Sequence, residues 1–366
     1  VNAARDIIAT TAAGNVNYEK QVEAGRSVMA LTDKGDVTYN ASVVAEDSVL
    51  ADVLDGNVTV NNNIVARQGY VTLTLADGSA TVGKADGTGN IKAGNDVSIT
   101  TSKGDATVKT SITSDNGSVS VSSEKGNINV GEVPTANAIL AQKDVNLYVA
   151  DGVITINGST HTAEGDILVK AWDEKNDQNI VITHDGKLDS GRDLTLHTYN
   201  GGINVTENTV AQRNLNVIVD NKGSVHFQEN VDVTGAVSAE VKDGDITIGK
   251  TIKSGQGIDM KTGSGNITVG QDVTSCTTVN LTSGKGNITV GDKTTGTGNV
   301  TANGNVNLTV TEGNIDIVKT VASENGNVTA KADQGDIRSG RNGSAERTGY
   351  AKGDIDMSVT EGIIRI

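Results

Sequence analysis

Short bursts of alternating apolar and polar residues run from one end of the chain to the other. In Gly56-Asn57-Val58-Thr59-Val60 the two valines fall on one side of an extended segment, and Asn57 and Thr59 fall on the other. The phrase returns as Gly126-Asn127-Ile128-Asn129-Val130, Gly244-Asp245-Ile246-Thr247-Ile248, Gly265-Asn266-Ile267-Thr268-Val269 and Gly286-Asn287-Ile288-Thr289-Val290. Alternation with a period of two predicts half-buried strands, valine and isoleucine inward and the polar partners outward. No segment carries the helix period.

The phrase is also spaced regularly. Its opening glycines stand at 14, 35, 56, 78, 104, 126 and 152, then at 201, 223, 244, 265, 286, 313, 335 and 362. Most steps are 21 or 22 residues, and the longer ones, near 26, hold short insertions. One period, Gly14 to Lys34, reads as three strands: Val16-Asn17-Tyr18, Gln21-Val22-Glu23 and Ser27-Val28-Met29-Ala30-Leu31. About 21 extended residues trace roughly 70 Å, enough for the three sides of a triangle. A hairpin sandwich fits less well, because hairpins need paired two-residue turns and alternating strand directions, whereas here every strand restarts with the same phrase.

The predicted fold is therefore all-β, a right-handed parallel β-helix (β-solenoid) with three short strands per coil of about 21 residues and roughly sixteen coils. Residues 1–366 read as one continuous solenoid rod, with loop insertions near 131–186 and 338–352. Glycine and asparagine tolerate positive φ and turn the corners. Asn or Asp side chains stacked coil over coil are expected to hydrogen-bond along the axis. Threonine, β-branched and polar, suits the outer face. A single coil buries too few aliphatic side chains to offset the entropy of ordering it, so stability must belong to the array.

Composition narrows the functional classes. Aromatic residues are 2% of the chain and proline occurs once against 44 glycines, so the core must be built from small aliphatics. A formal net charge of −15 argues against nucleic acid or an anionic bilayer as partner, since both require clustered Lys and Arg. No apolar run is long enough to insert in a membrane. The single cysteine, Cys276, excludes internal disulfides and reads as a small residue at a coil corner or wall. The chain starts at Val1 rather than Met and both ends fall within the repeat, which reads as a processed or excised piece.

A second phrase, small-x-x-(Asp/Asn)-Leu/Val-x-Leu, appears as Ala93-Gly94-Asn95-Asp96-Val97-Ser98-Ile99, Ala141-Gln142-Lys143-Asp144-Val145-Asn146-Leu147, Gly191-Arg192-Asp193-Leu194-Thr195-Leu196 and Ala211-Gln212-Arg213-Asn214-Leu215-Asn216-Val217. With the glycine phrase, it resembles the haemagglutinin-repeat shafts of filamentous-haemagglutinin-like exoproteins of two-partner secretion. The resemblance is at the level of the repeat and covers nearly the whole chain. It implies a right-handed parallel β-helix, export to the bacterial cell surface and a role in adhesion or cell-cell contact. The implied partners are a host or bacterial surface receptor or glycan, and neighbouring coils or rods of the same protein. It supplies no functional residues.

Candidate chemistry is sparse. Pectin-type hydrolases carry Asn-Thr-Asp, Asp-Asp and Gly-His-Gly sets that are missing here, and the acids are dispersed about one per turn, so a polysaccharide depolymerase ranks behind a rigid adhesin shaft and a carbohydrate-binding or self-assembling, fibre-forming β-helix. No catalytic residue and no cofactor are assigned. Of His161, His184, His197 and His226, the first three lie near Glu164, Asp185 and Asp193 in sequence, but without His-x-His or His-x-x-x-His spacing all four read as outward strand residues, and no metal is assigned. The calcium-binding nonapeptide is not continued after Gly201-Gly202, which runs on as Ile203-Asn204. Asn-x-Thr triplets at Asn57, Asn204, Asn266, Asn287, Asn299 and Asn327 arise from the corner phrase itself, so they say nothing about glycosylation. The breaks in the period are the better contact candidates. One holds Trp172, Asp173 and Lys175, and the other holds Arg341, Arg347 and Tyr350.

Overall fold

A computed structural model describes residues 1–133, 135–172, 179–183, 186–340 and 348–366. Among them are forty-eight strands and no helix. The fold is a three-sided parallel β-solenoid of about 15 turns with about 22 residues per turn. The sequence pattern alone suggested one more coil and one residue fewer per turn. The insertions lengthen the mean turn and account for the difference. Contacts divide the chain into two compact units, Val1–Arg192 and Asp193–Ile366.

In the first unit successive strands are dealt to three sheets in rotation. Val22–Ala24, Val43–Ala45 and Ile64–Ala66 lie side by side in the first sheet. Val28–Lys34, Val49–Asp55 and Val71–Asp77 do so in the second, and Val37–Tyr39, Val58–Val60 and Ala80–Val82 in the third. All these pairs are parallel and in register, so Thr38, Thr59 and Thr81 form one outward row while Val37, Val58 and Ala80 form an inward one. Parallel neighbours need a crossover connection, and the other two sides of each turn provide it. The second unit repeats the scheme, with Ile246, Ile267 and Ile288 stacked inside and Thr247, Thr268 and Thr289 outside. Val58 and Ile267 are fully buried, as the alternation requires.

The corners are held by the device the sequence pointed to. Every glycine that opens the phrase has φ between 93° and 156°. Where the next residue is Asn, Asp or Ser, its side chain accepts a backbone N–H from the next coil. The Asn287 N–H donates to Asn266 Oδ1 at 2.8 Å, the Asn314 N–H to Asn287 Oδ1 at 2.8 Å, and the Asp336 N–H to Asn314 Oδ1 at 2.8 Å. A second ladder precedes the long strands of the second sheet: the Ser118 N–H donates to Asp96 Oδ1 at 2.8 Å and the Asp166 N–H to Asp144 Oδ1 at 2.9 Å. An arginine one coil on also clamps two acids of this ladder. Arg26 grips Asp6 and Arg213 grips Asp193, and this hydrogen bonding holds the Asp6 carboxyl down to about 2 and that of Asp193 below the ordinary carboxylate range.

The core is not wholly aliphatic. Tyr39 and Phe227 are both inward and 2% exposed, and the Tyr39 ring stacks on Tyr18 at 5.0 Å between centroids. The central inward position of the second sheet is Ala30 and Ala51 in the early coils and Leu73, Ile99 and Val121 further along. Burial pushes the Tyr39 hydroxyl above its usual range.

Buried hydroxyls fall into two kinds. Thr262 Oγ1 donates to the Gly244 carbonyl at 2.8 Å, whereas Thr209, in the inward row that continues to Val231, is fully buried and its hydroxyl has no partner. An unsatisfied buried hydroxyl destabilises by about 1–3 kcal/mol. Thr209→Val is therefore expected to stabilise the protein by about 1 kcal/mol and Thr262→Val to destabilise it by a similar amount. Thermal denaturation of the two variants side by side reads the sign.

Candidate contact surface

The side walls carry the chemistry, because the inward side chains are sealed in. Outward residues of adjacent strands sit directly opposite one another, so residues one coil apart in sequence become neighbours on the wall. In the second sheet of the first unit, Tyr148 is the register partner of Lys170, and Asn146 that of Leu168. Trp172 follows the strand Ile167–Ala171, and its N–H donates to the Val149 carbonyl at 2.8 Å. The Lys170 ammonium lies 4.4 Å from the Trp172 ring centroid, a cation–π contact. Tyr148 and Leu168 are 37% and 36% exposed. Together the four side chains make a mixed aromatic, aliphatic and cationic patch on the wall.

The sequence had singled out Trp172 but not Tyr148 or Leu168. Tyr148 lies a full coil earlier, and only the register places it beside Lys170. Asp173 and Lys175 lie outside the described residues, as do Arg341 and Arg347. Tyr350, read as a loop residue, sits in the strand Gly349–Ala351 opposite Ala322 and is 41% exposed. Arg338 is likewise in a strand, Ile337–Ser339, and pairs with Asp336.

The histidines take different partners from those their sequence neighbourhood gave. His161 Nδ1 is 3.5 Å from Asp189, and His197 Nε2 is 2.6 Å from Asp220. His226 is an exposed outward residue of the strand Val225–Phe227, and His184 and Asp185 lie outside the described residues. Among the described residues, no group of three or more His, Cys, Asp or Glu side chains converges as a metal cradle. Cys276 is an exposed free thiol at a corner whose N–H donates to the Ser254 carbonyl. The Asn266 and Asn287 amides donate to Asp245 and Asn266 in the corner ladder, so their Asn-x-Thr triplets serve the coil.

Insertions favour one corner. In the first unit, 83–90 separates a third-sheet strand from the next first-sheet strand, and in the second unit 291–299 does the same. Both loops close with the same four residues, Gly87-Thr88-Gly89-Asn90 and Gly296-Thr297-Gly298-Asn299. Each has an aspartate that accepts from a threonine two residues on, Asp86 from Thr88 and Asp292 from Thr294, and these bonds draw both carboxyls below their ordinary range. Their necks are pinched. A Cβ on Gly83 would lie 2.8 Å from the Gly89 Cα, and one on Gly291 would lie 2.4 Å from the Gly298 Cα.

The class defined by this architecture is the three-sided parallel β-solenoid with a polar wall and local apolar patches. No family model, curated protein or solved structure matches this chain.

Proposed function

We propose that this chain is a stretch of the shaft of a bacterial surface adhesin, exported from the cell and serving as a stiff spacer that carries contact functions outward. The observation that carries this reading is the uniformity of the coils. Within each unit one strand pairing follows another in the same register, and corner side chains bond each coil to the next. A wall so repetitive suits a mechanical role, because length is gained by adding coils without altering any one of them. The repeat-level resemblance to filamentous-haemagglutinin-like shafts supports the same reading.

A shaft tolerates loss of whole coils, whereas a catalytic groove across several coils does not. Deleting residues 244–285 joins Asp243 to Gly286, which occupies the same corner position as Gly244. The shortened protein is expected to keep its β-rich circular dichroism and to lower the thermal midpoint by no more than a few degrees, about 5 °C. Release of oligosaccharides from capsular polysaccharide or pectin by the intact chain, abolished by the deletion, would instead make it a depolymerase.

The Tyr148, Leu168, Lys170 and Trp172 patch favours a second reading, in which the wall itself binds surface carbohydrate. On a glycan array, binding that disappears in Trp172→Ala would support it. Binding unchanged by that substitution would remove the patch from consideration.

A further inference from the structure

A second anomaly on the wall lies in the early coils of the first unit. The first outward position of each second-sheet strand forms one continuous row. From Leu50 it continues as Thr72, Ser98, Ser120 and Asn146 and turns apolar again at Leu168, in the patch described above. At its start it is Ile8, Met29 and Leu50, three large apolar side chains in direct register, with Ile8 61% exposed. In the second unit the same row is Thr195, Asn216, Ser238, Asp259, Asn280, Asn307 and Thr329, polar throughout.

The corner beside this apolar row also interrupts its ladder, as Ala236 and Gly257 do at the equivalent corner of the second unit, but here with a large aromatic ring. Its ladder runs through Asp6, Ser27, Ser48, Asp96, Ser118 and Asp144, each a short side chain suited to accept from the coil above, but Tyr70 occupies the step between Ser48 and Asp96. The Tyr70 N–H still donates to Ser48 Oγ at 3.2 Å, yet its side chain offers nothing to the next coil and stands 55% exposed. Gly69 fixes the ring's base. A Cβ there would lie 2.4 Å from Ser48 Oγ and 2.6 Å from the Asp47 carbonyl oxygen, so only glycine lets the chain pass that close. What sets this corner apart is the combination: an exposed aromatic ring stands where the neighbouring row also gives up its polarity.

The two departures meet in a groove of about 220 Å³. Met29 and Leu50 contribute its apolar surface, Tyr70 its aromatic surface, and Asp47, Ser27 and Ser48 its polar groups. Asp47 is exposed, with Oδ1 3.4 Å from Ser48 Oγ. We propose that this groove binds one uncharged pyranose ring of a surface glycan. A pyranose has an apolar C–H face, which stacks on an aromatic ring, and a rim of hydroxyls, which donate to a carboxylate and exchange bonds with serines. The charge selects against anionic sugars, because the groove is lined by one carboxylate and no cation in a protein of net charge −15. An acyl chain would leave the hydrogen-bonding capacity of Asp47 and the serines unmet. The volume suits a single ring and is smaller than the cleft a drug-sized ligand needs.

The test uses the full chain and saturation-transfer NMR with methyl β-glucopyranoside, methyl β-galactopyranoside and N-acetylglucosamine as probes. At least one should bind with a dissociation constant on the order of 1 mM, the range open to so small a ligand. Tyr70→Ala should weaken it about tenfold, while Tyr70→Phe, which keeps the stacking face, and Trp172→Ala, on the separate patch, should leave it within about twofold. Absence of saturation transfer with all three sugars up to about 100 mM would overturn the proposal, as would binding unchanged in Tyr70→Ala. Sedimentation on the same samples addresses the competing occupant. If Tyr70→Ala abolishes self-association and no sugar binds, the apolar row is an interface between copies and the sugar site is wrong. None of these outcomes bears on the shaft reading, which rests on the uniformity of the coils.

Discussion

Gly244→Ala is expected to destabilise the protein by about 2–5 kcal/mol, out of proportion to the single methyl group it adds. Two costs combine. Gly244 has φ of 149°, a conformation that an L side chain resists by about 1–2 kcal/mol. Its Cβ would also lie 2.1 Å from the carbonyl oxygen of Gly223, the equivalent glycine one coil earlier. That oxygen belongs to a corner fixed by its own ladder, so relief requires moving the backbone of two coils, which costs about 1–3 kcal/mol more. Gly14 separates the two contributions. Its φ is 126°, but the nearest atom to a built Cβ is Thr11 Oγ1 at 3.8 Å, so Gly14→Ala should lose only the conformational part. Chemical denaturation of both variants checks the difference. Equal losses would mean that the close approach between stacked glycines does not matter.

The second large effect concerns the faces of a strand. Val58→Asp places a carboxylate in the sealed axial core between Val37 and Ala80, where no cation is available to pair with it, and should cost about 3–5 kcal/mol, or roughly 10 °C in thermal midpoint. Thr59→Asp, one residue on, adds the same charge to the outward row of Thr38 and Thr81 and should cost about 1 kcal/mol or less. The comparison is internal, since chain position, charge and approximate side-chain size are shared. Equal losses would reverse the assignment of inside and outside.

These predictions show why much of the fold was legible in the sequence. The choice of Val58 for inside and Thr59 for outside depends on alternation within five residues, and the corner at Gly56-Asn57 depends on the backbone freedom of two. Such information is local, and it repeats, so each coil confirms the last. The ladder through Asn266, Asn287 and Asn314 was legible for the same reason, because identical residues at identical steps must stack when the coils do.

The wall was harder to read, because what meets there is decided by register between coils of unequal length. Tyr148 and Lys170 are 22 residues apart, one ordinary period, and nothing in either residue announces the other until the strands are set in register. Tyr39 was hidden differently. Its inward position follows from alternation, but its stacking on Tyr18 follows only from the register of the two coils. Met29 and Leu50 read as ordinary strand residues until their row is compared with the polar one that replaces it in later coils.

An experimental density map at a resolution that separates neighbouring strands tests the central claim most directly. It should show Thr247, Thr268 and Thr289 stacked on one outer face, with Ile246, Ile267 and Ile288 beneath them and all three strands running in the same direction. Neighbouring strands that run antiparallel, or helices anywhere along these coils, would contradict it.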